Sequence, residues 1–236
     1  MPPYKEHHPE QKRFVNDVMV ELVRRYVPNS AMSGVYVLDH MGLRSTRAIR
    51  EGLGSRPSVI IAESDKEIYI RMKRELRSGA SLGSVNLMRC KYSELSLPVP
   101  VVLDCADMCC GLVGVGCDPP EALFRLRFSH KHYADTAIIR LTMSARGGKL
   151  TRAKFVTSTT KMMQKACKNT AYKVKALDCT DWVNGKWSTG RIVNKVAYNY
   201  GRNGPGMLTF MFLVTLNDTY VSSRGRCIVP KITMDM

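Results

Sequence analysis

The pattern of apolar and polar positions divides the chain into alternating helical and extended segments. Phe14, Val18, Leu22 and Val23 recur at helical spacing and Pro28 stands just beyond them, which predicts an amphipathic helix over 6–26. Short apolar runs then predict strands at 35–39, 58–62, 85–88, 99–104 and 136–143. Between them, helices are predicted at 43–51, 66–77 and 119–131, with Gly52, Gly54 and Gly79 placed where the first two should stop. A further helix is predicted over 156–168, although residues 157–160 have weak helical propensity. Strands alternating with helices of this length imply parallel strands joined by right-handed crossovers. Strand ends at Asp39, Glu63 and Asp104 would line one edge of such a sheet, the edge where open α/β sheets bind ligands.

The last part of the chain changes character. Residues 192–200 alternate, 207–216 are strongly apolar, and the glycines and proline of 201–206 lie between them, which predicts an antiparallel hairpin. A short strand is also expected within 222–229. No internal repeat, low-complexity tract or linker interrupts the sequence, so one domain is expected. It would have an N-terminal helical extension over 1–33, a core over 34–216 and a C-terminal tail over 217–236.

Composition sets the class. Hydrophobic residues make up 44% and charged residues 24%, enough to bury a core and unlike a disordered chain. No apolar run reaches the roughly 18 residues of a membrane span, so no membrane contact is expected. The polar N-terminus does not read as a signal peptide. The eight cysteines lack the spacing of a small disulfide-stapled domain, which implies reduced thiols in the cytoplasm or nucleus. Net charge alters the picture more. It is +16 overall, with 19 Lys/Arg against 16 Asp/Glu in 1–135 but 17 against 4 in 136–236. A field of one sign over half a domain attracts polyanions, and nucleic acid is the expected partner.

Parallel strands closed by an antiparallel hairpin resemble the class I S-adenosylmethionine-dependent methyltransferases, on element order more than on motifs. The expected fold is therefore α/β and Rossmann-like, with a mostly parallel sheet flanked by helices. In that family the first strand runs into an acid and a glycine-rich turn. Here the segment is Val35-Tyr36-Val37-Leu38-Asp39-His40-Met41-Gly42, so Asp39 matches the acid and Gly42 one glycine, while Arg44, Ser45 and Thr46 follow where other glycines would stand. The second strand of the family ends in an acid that takes the ribose hydroxyls. Here Glu63 and Asp65 follow Ile60-Ile61-Ala62, with Glu63 as the implied ribose ligand and Asp65 as helix cap, or with both acids merely capping the helix. Tyr92, after the third strand, would lie beside the adenine. The fourth strand ends in Leu103-Asp104-Cys105-Ala106-Asp107-Met108, and an acid here stands next to the methyl in members that modify nitrogen or ribose oxygen. Asp104 and Asp107 are thus the implied catalytic residues.

Asp118-Pro119-Pro120-Glu121 superficially resembles the adenine-modifying motif. It lies too far past the strand and lacks its aromatic, and it reads better as a helix cap, two prolines in the first turn and a capping-box glutamate. Cys105, Cys109, Cys110 and Cys117, with His130 and His132, lack paired Cys-x-x-Cys spacing, and no metal is expected. His7 and His8 fall in the polar N-terminus and read as solvated.

The candidate phosphate contacts are Arg146, Lys149, Arg152 and Lys154, then Lys161, Lys165 and Lys168 on one helical face, and Arg202 in the hairpin loop with Asn203. Asn199, Tyr198, Tyr200, Trp182 and Trp187 lie near cations in sequence, where aromatics either stack on bases or fill strands. The implied activity is methyl transfer to RNA or DNA with S-adenosylmethionine. Its alternative is a catalytically silent relative that keeps the fold as a nucleic-acid-binding or scaffold subunit, alone or with a protein partner. A nicotinamide-dependent oxidoreductase fits less well, since no Gly-x-Gly-x-x-Gly turn is present.

Overall fold

The computed structural model describes residues 9–29, 32–39, 42–78, 82–83, 85–95, 99–108, 112, 119–145, 150–179, 191–200 and 206–217. Helix α1 (Pro9–Tyr26) leads into β1 (Gly34–Val37), α2 (Arg44–Leu53), β2 (Ser58–Ala62), α3 (Lys66–Ser78) and β3 (Val85–Met88). A single 3-10 turn (Tyr92–Glu94) precedes β4 (Val101–Met108), α4 (Pro120–Ser129), β5 (Tyr133–Ser144) and α5 (Arg152–Cys167). Four further strands follow: β6 (Tyr172–Ala176), β7 (Arg191–Val193), β8 (Ala197–Tyr200) and β9 (Met207–Leu216). The sheet order is β3-β2-β1-β4-β5-β9-β8-β7, and β6 also pairs with β9. Strands β1 to β5 are parallel, and β9 is antiparallel to β5.

The burial pattern explains why the central strands are parallel. β1 is buried at all four residues, β4 almost throughout and β5 from Ala137 onward, as strands covered on both faces must be. One face packs Val18, Met19, Leu22 and Val23 of α1, Ile49 of α2 and Met72 of α3 against Val35, Val37, Ile61 and Ile138. The other packs Phe124 and Phe128 of α4 and Val156 and Met163 of α5 against Tyr36, Ile139, Phe210 and Phe212. α1 crosses α2 so closely that a Cβ on Gly52 would overlap Val20 Cγ1.

The sequence pattern and the structure differ at several places; β1 stops at Val37, β5 begins at Tyr133 and α5 begins at Arg152. β4 runs on to Met108, four residues past the expected end at Asp104, because Cys105 and Ala106 are fully buried and continue the ladder with β5. β6 answers to no expected element, although Tyr172, Val174 and Ala176 alternate with Lys173 and Lys175. The expected strand over 192–200 is two strands, β7 and β8, joined by a three-residue turn over 194–196 in which Asn194 and Lys195 have positive φ. α4 has Pro119 as N-cap without a side-chain cap bond, and Glu121 instead pairs with Arg125 and Lys165, so no capping box forms. Asp118 and the segment 222–229 lie outside the described residues.

Two expectations agree in detail. β8 and β9 pair antiparallel in the register Ala197↔Phe210 to Tyr200↔Met207, as the terminal hairpin was expected to do. The threonine-rich stretch of α5 is helical as expected, and Thr157, Thr159 and Thr160 turn their hydroxyls back to carbonyls four residues earlier, at 2.9–3.1 Å.

Candidate functional site

The chain leaves β1 toward β2 on one side and β4 toward β5 on the other, so strand order reverses between β1 and β4. Open α/β sheets form a crevice at that reversal, beyond the carboxyl ends of the strands. β1 and β4 run in register there, Val37 opposite Cys105, and Leu38 N–H donates to the Cys105 carbonyl at 2.9 Å. Asp39 and Asp107 therefore emerge side by side at the reversal. Both act on the Cys105 thiol, which burial pushes up to about 12; Arg140 opposes the rise, and Asp104, Asp39 and Asp107 add to it.

The turn after β1 keeps Gly42 and lacks the family's other glycines. One Asp39 oxygen accepts from Thr46 N–H and from its hydroxyl, both at 2.8 Å, and so caps the first turn of α2. The left-handed position is filled by Leu43, with φ 47° and a fully buried side chain. Gly42 is exposed, and among the described residues a Cβ there would touch only the Arg44 side chain, at 3.7 Å. His40 and Met41 lie outside the described residues.

At the end of β2, Glu63 is half-buried and its Oε1 accepts from Asp65 N–H at 2.7 Å. Asp65 is exposed and accepts from Glu67 N–H at 2.8 Å and Ile68 N–H at 2.9 Å, the helix-capping role expected of it. The second Glu63 oxygen carries no bond among the described residues.

Two site expectations are corrected by burial. Asp104 does not end a strand at the reaction edge; it lies inside β4 with no exposed surface, on the face toward α4. Its carboxylate accepts from Arg127, itself 1% exposed, from the Tyr92 hydroxyl and from the Tyr133 hydroxyl at 2.7 Å. Arg127 also donates to the Tyr92 carbonyl at 2.8 Å, and its guanidinium lies 4.3 Å from the Tyr92 ring centre and 4.7 Å from that of Tyr36. Tyr92 is thus a buried partner of Asp104 with one ring face against Arg127, and not an exposed adenine shelf. Burial, reinforced by Asp104, holds the Tyr92 and Tyr133 hydroxyls well above the usual tyrosine range. Nothing in the sequence spacing joins these four residues; only the fold does.

A second buried cation sits on the opposite face. Arg140 of β5 donates to Asn16 Oδ1 of α1 and to Ser45 Oγ of α2 at 3.1 Å, linking both helices beside the Asp39 turn. Cys105 points to Met19 Sδ at 3.1 Å and so faces the core. Cys109, Cys110 and Cys117 lie outside the described residues. Among the described residues no group of three metal-capable side chains converges.

Of the expected phosphate contacts, Lys154, Lys161 and Lys165 lie on the exposed face of α5, Lys168 is exposed as its C-cap in extended backbone, and Arg152 is half-buried at its start. Lys165 is engaged by Glu121 at 3.0 Å. Arg146, Lys149, Arg202, Asn203, Trp182, Trp187, His7 and His8 lie outside the described residues. Tyr198 and Asn199 are buried in β8, Tyr198 against Phe14, so Tyr198 fills the core. No helix among the described residues is long and apolar enough to cross a membrane.

A mostly parallel sheet with its last core strand antiparallel defines the class I methyltransferase-like fold. Solved structures of that class superpose on this chain. TYW2 from Pyrococcus horikoshii, in complex with MeSAdo, gives a TM-score of 0.58 at 11% identity over 90% of this chain and 65% of its own. The SAM-dependent O-methyltransferase from Thermotoga maritima gives 0.56 at 9% identity over 92% and 69%, and a fibrillarin/Nop5p complex gives 0.51 at 8% over 91% of each chain. The chain spans just under two thirds of the length of that TYW2 structure. No protein-family model and no curated protein matches the sequence. The likeness is one of fold.

S-adenosylmethionine is the ligand this fold implies, and of the residues present Glu63 has the chemistry to hold its ribose. Glu63 offers an acceptor oxygen at the end of β2, and a carboxylate is the group suited to two vicinal hydroxyls. The β1 turn presents the Asp39-capped helix start in place of a glycine cradle.

Proposed function

We propose that the protein is an S-adenosylmethionine-dependent methyltransferase whose substrate is a nucleic acid. The observation that carries the reading is the placement of Asp39, Glu63 and Asp107 around the reversal point of a methyltransferase-like sheet. TYW2 in complex with MeSAdo supports the cofactor class. The acid-free basic stretch from 136 to 177 supports a polyanionic substrate. In this reading Glu63 holds the ribose, Asp39 fixes the start of α2 beneath the cofactor, and Asp107 orients the accepting amine or hydroxyl. The cofactor supplies an electrophilic methyl group. The exposed lysines of α5 meet phosphates.

Titration calorimetry with S-adenosylmethionine and its demethylated product tests this. Glu63→Ala should weaken binding by about 1.5–3 kcal/mol, the scale of charge-assisted hydrogen bonds. Asp107→Ala should lower turnover far more than cofactor affinity, because positioning acts on the transition state. On nucleic acid, the Lys161→Ala, Lys168→Ala pair should flatten the salt dependence by about 1.4–1.8 units, since each phosphate no longer neutralised is worth about 0.7–0.9. Lys165 should add less, being held by Glu121.

One observation favours a second reading, a catalytically silent relative that binds nucleic acid. Leu43 occupies the left-handed position of the β1 turn and Asp39 is committed to Thr46, so neither a glycine nor the whole acid is left to the ligand. Absence of cofactor binding at millimolar concentration, with nucleic-acid binding intact, would establish that reading in place of the first.

A further inference from the structure

The basic stretch after 136 is not the only concentration of cations. α3 carries Lys66, Arg71, Lys73, Arg74 and Arg77 against two acids, and one of those, Glu75, is paired with Arg47 at 2.6 Å. This helix packs on the α1 face of the sheet, whereas α5 packs on the other. Between α3 and the edge strand β3 runs an open groove of about 340 Å³, with Leu76, Leu82, Val85 and Leu87 as apolar lining. Tyr69, Lys73 and Arg77 stand along the helix side of the same groove, and the Lys73 ammonium lies 5.8 Å from the centre of the Tyr69 ring.

We infer that the α3–β3 groove is a second nucleic-acid-binding site, which takes a nucleotide of a single strand with its base against Tyr69 and its phosphate on Lys73 and Arg77. The chemistry of the lining selects this ligand. A ring, an apolar floor and two cations match a flat base joined to an anion, and the volume lies within the range of small-molecule sites, about 300–1,000 Å³. The cations outnumber what one phosphate needs, and they extend beyond the groove. Lys66 opens α3 just after the Glu63–Asp65 turn, and Arg89 and Lys91 follow the end of β3, all three exposed. Since β2 and β3 are parallel, these three lie at the carboxyl edge of the sheet, near Glu63, and Arg77 and Leu82 lie toward its opposite edge. The positive track therefore leads from the proposed reaction edge down the outside of the molecule, which suits a chain of phosphates better than a free nucleotide. Backbone phosphates bind Lys and Arg without regard to sequence, and every base offers a face to an aromatic ring.

The inference deepens the proposed function by naming where the strand continues, and it can fail separately. The test is fluorescence anisotropy of a labelled ten-nucleotide oligouridine at several salt concentrations, with the whole chain. Tyr69→Leu keeps apolar packing and removes the stacking face; it should weaken binding by about tenfold with the salt slope unchanged, within the range of base–aromatic stacking. The Lys73→Ala, Arg77→Ala pair should flatten the slope by about 1.4 units, the single-strand value for two phosphates. Melting temperatures monitor folding, and uridine monophosphate should compete only at concentrations far above the oligonucleotide. The site is overturned if both α3 variants bind like wild type. If in that case the Lys161→Ala, Lys168→Ala pair weakens binding, the α5 surface stands without it. If the α3 variants weaken binding and the α5 pair does not, the groove stands and the α5 contact falls. Failure of wild type to bind the oligonucleotide, or competition by the mononucleotide at equal concentration, also overturns it.

Discussion

Removing the Asp104 carboxylate should be among the most costly single changes in this chain. In the native state it accepts three side-chain hydrogen bonds, from Arg127, Tyr92 and Tyr133. Asp104→Ala leaves the Arg127 guanidinium, 1% exposed, with the Tyr92 carbonyl and two tyrosine rings but no counter-charge. Breaking one side of a buried pair typically costs about 3–5 kcal/mol. A whole domain holds only about 5–15 kcal/mol. For a chain of this size each kcal/mol moves the melting temperature by about 2–4 °C, so a fall of roughly 6–20 °C is expected. Calorimetric melting of Asp104→Ala, Arg127→Met and the Asp104→Leu, Arg127→Met double variant checks it. The double variant should recover much of the loss, because removing both charges also removes their burial cost. Well below its melting point, Asp104→Asn should retain cofactor and nucleic-acid affinity, since this carboxylate touches neither proposed site. An Asp104→Ala melting point within about 2 °C of wild type would refute the reasoning, as the expected loss is several times larger. So would a double variant no more stable than either single one.

Three further outcomes follow from packing and ionisation. Burial pushes the Cys105 and Cys179 thiols up to about 12, so neither should react with a thiol reagent at pH 8 in the native state, and mass spectrometry of partly labelled protein should find both unmodified. Gly52→Ala should destabilise by about 1–3 kcal/mol through overlap with Val20, despite the better helical propensity of alanine, and Val20→Ala should relieve it in urea titrations. Burial, with Arg127 and His130 nearby, lowers the His132 pKa below its usual value of about 6.5. Its contribution to stability should therefore be complete above about pH 6.5 and decline as pH falls; His132→Phe should flatten that slope between pH 5 and 7.

The parts of this fold legible in the sequence are those where one local rule decides. The strands at 58–62 and 85–88 coincide with β2 and β3, because each run follows a turn signal, Pro57 in one case and Gly83-Ser84 in the other. The edge strand β6 was legible only as alternation, and its two lysines made it read as loop; lysines on an edge strand are how sheets avoid pairing with another chain. The end of β4 was not legible, because an acid after Val-Val-Leu is the usual mark of a strand terminus. Here that acid is absorbed by Arg127, Tyr92 and Tyr133, which approach from α4, the 3-10 turn and β5. Such a partner set arises from tertiary placement and has no spacing signature. The longer strand also moves the proposed reaction edge, since β4 ends in Asp107 and Met108 and its register, counted on from Val37 opposite Cys105, brings Asp107 to the level of Asp39.

The turn after β1 teaches the converse lesson. Missing glycines imply an altered binding loop, and the described end of this one, from Gly42 into α2, is held by other chemistry. A left-handed backbone is sterically costly for any residue with a Cβ, and it persists only where the surroundings enforce it. Leu43 adopts it with its side chain buried in the α1 face of the core, and the Asp39 carboxylate bonds Thr46 twice to hold the start of α2. Arg140 draws the same turn of α2 toward α1 through Ser45 and Asn16. Conformational freedom is thus replaced by packing and polar ties, and α1 becomes part of what positions the binding edge. The absence of a glycine motif in this chain therefore bears on how a ligand would be held at Asp39. It leaves the acids at Glu63 and Asp107 untouched, and those are the residues on which the proposed activity turns.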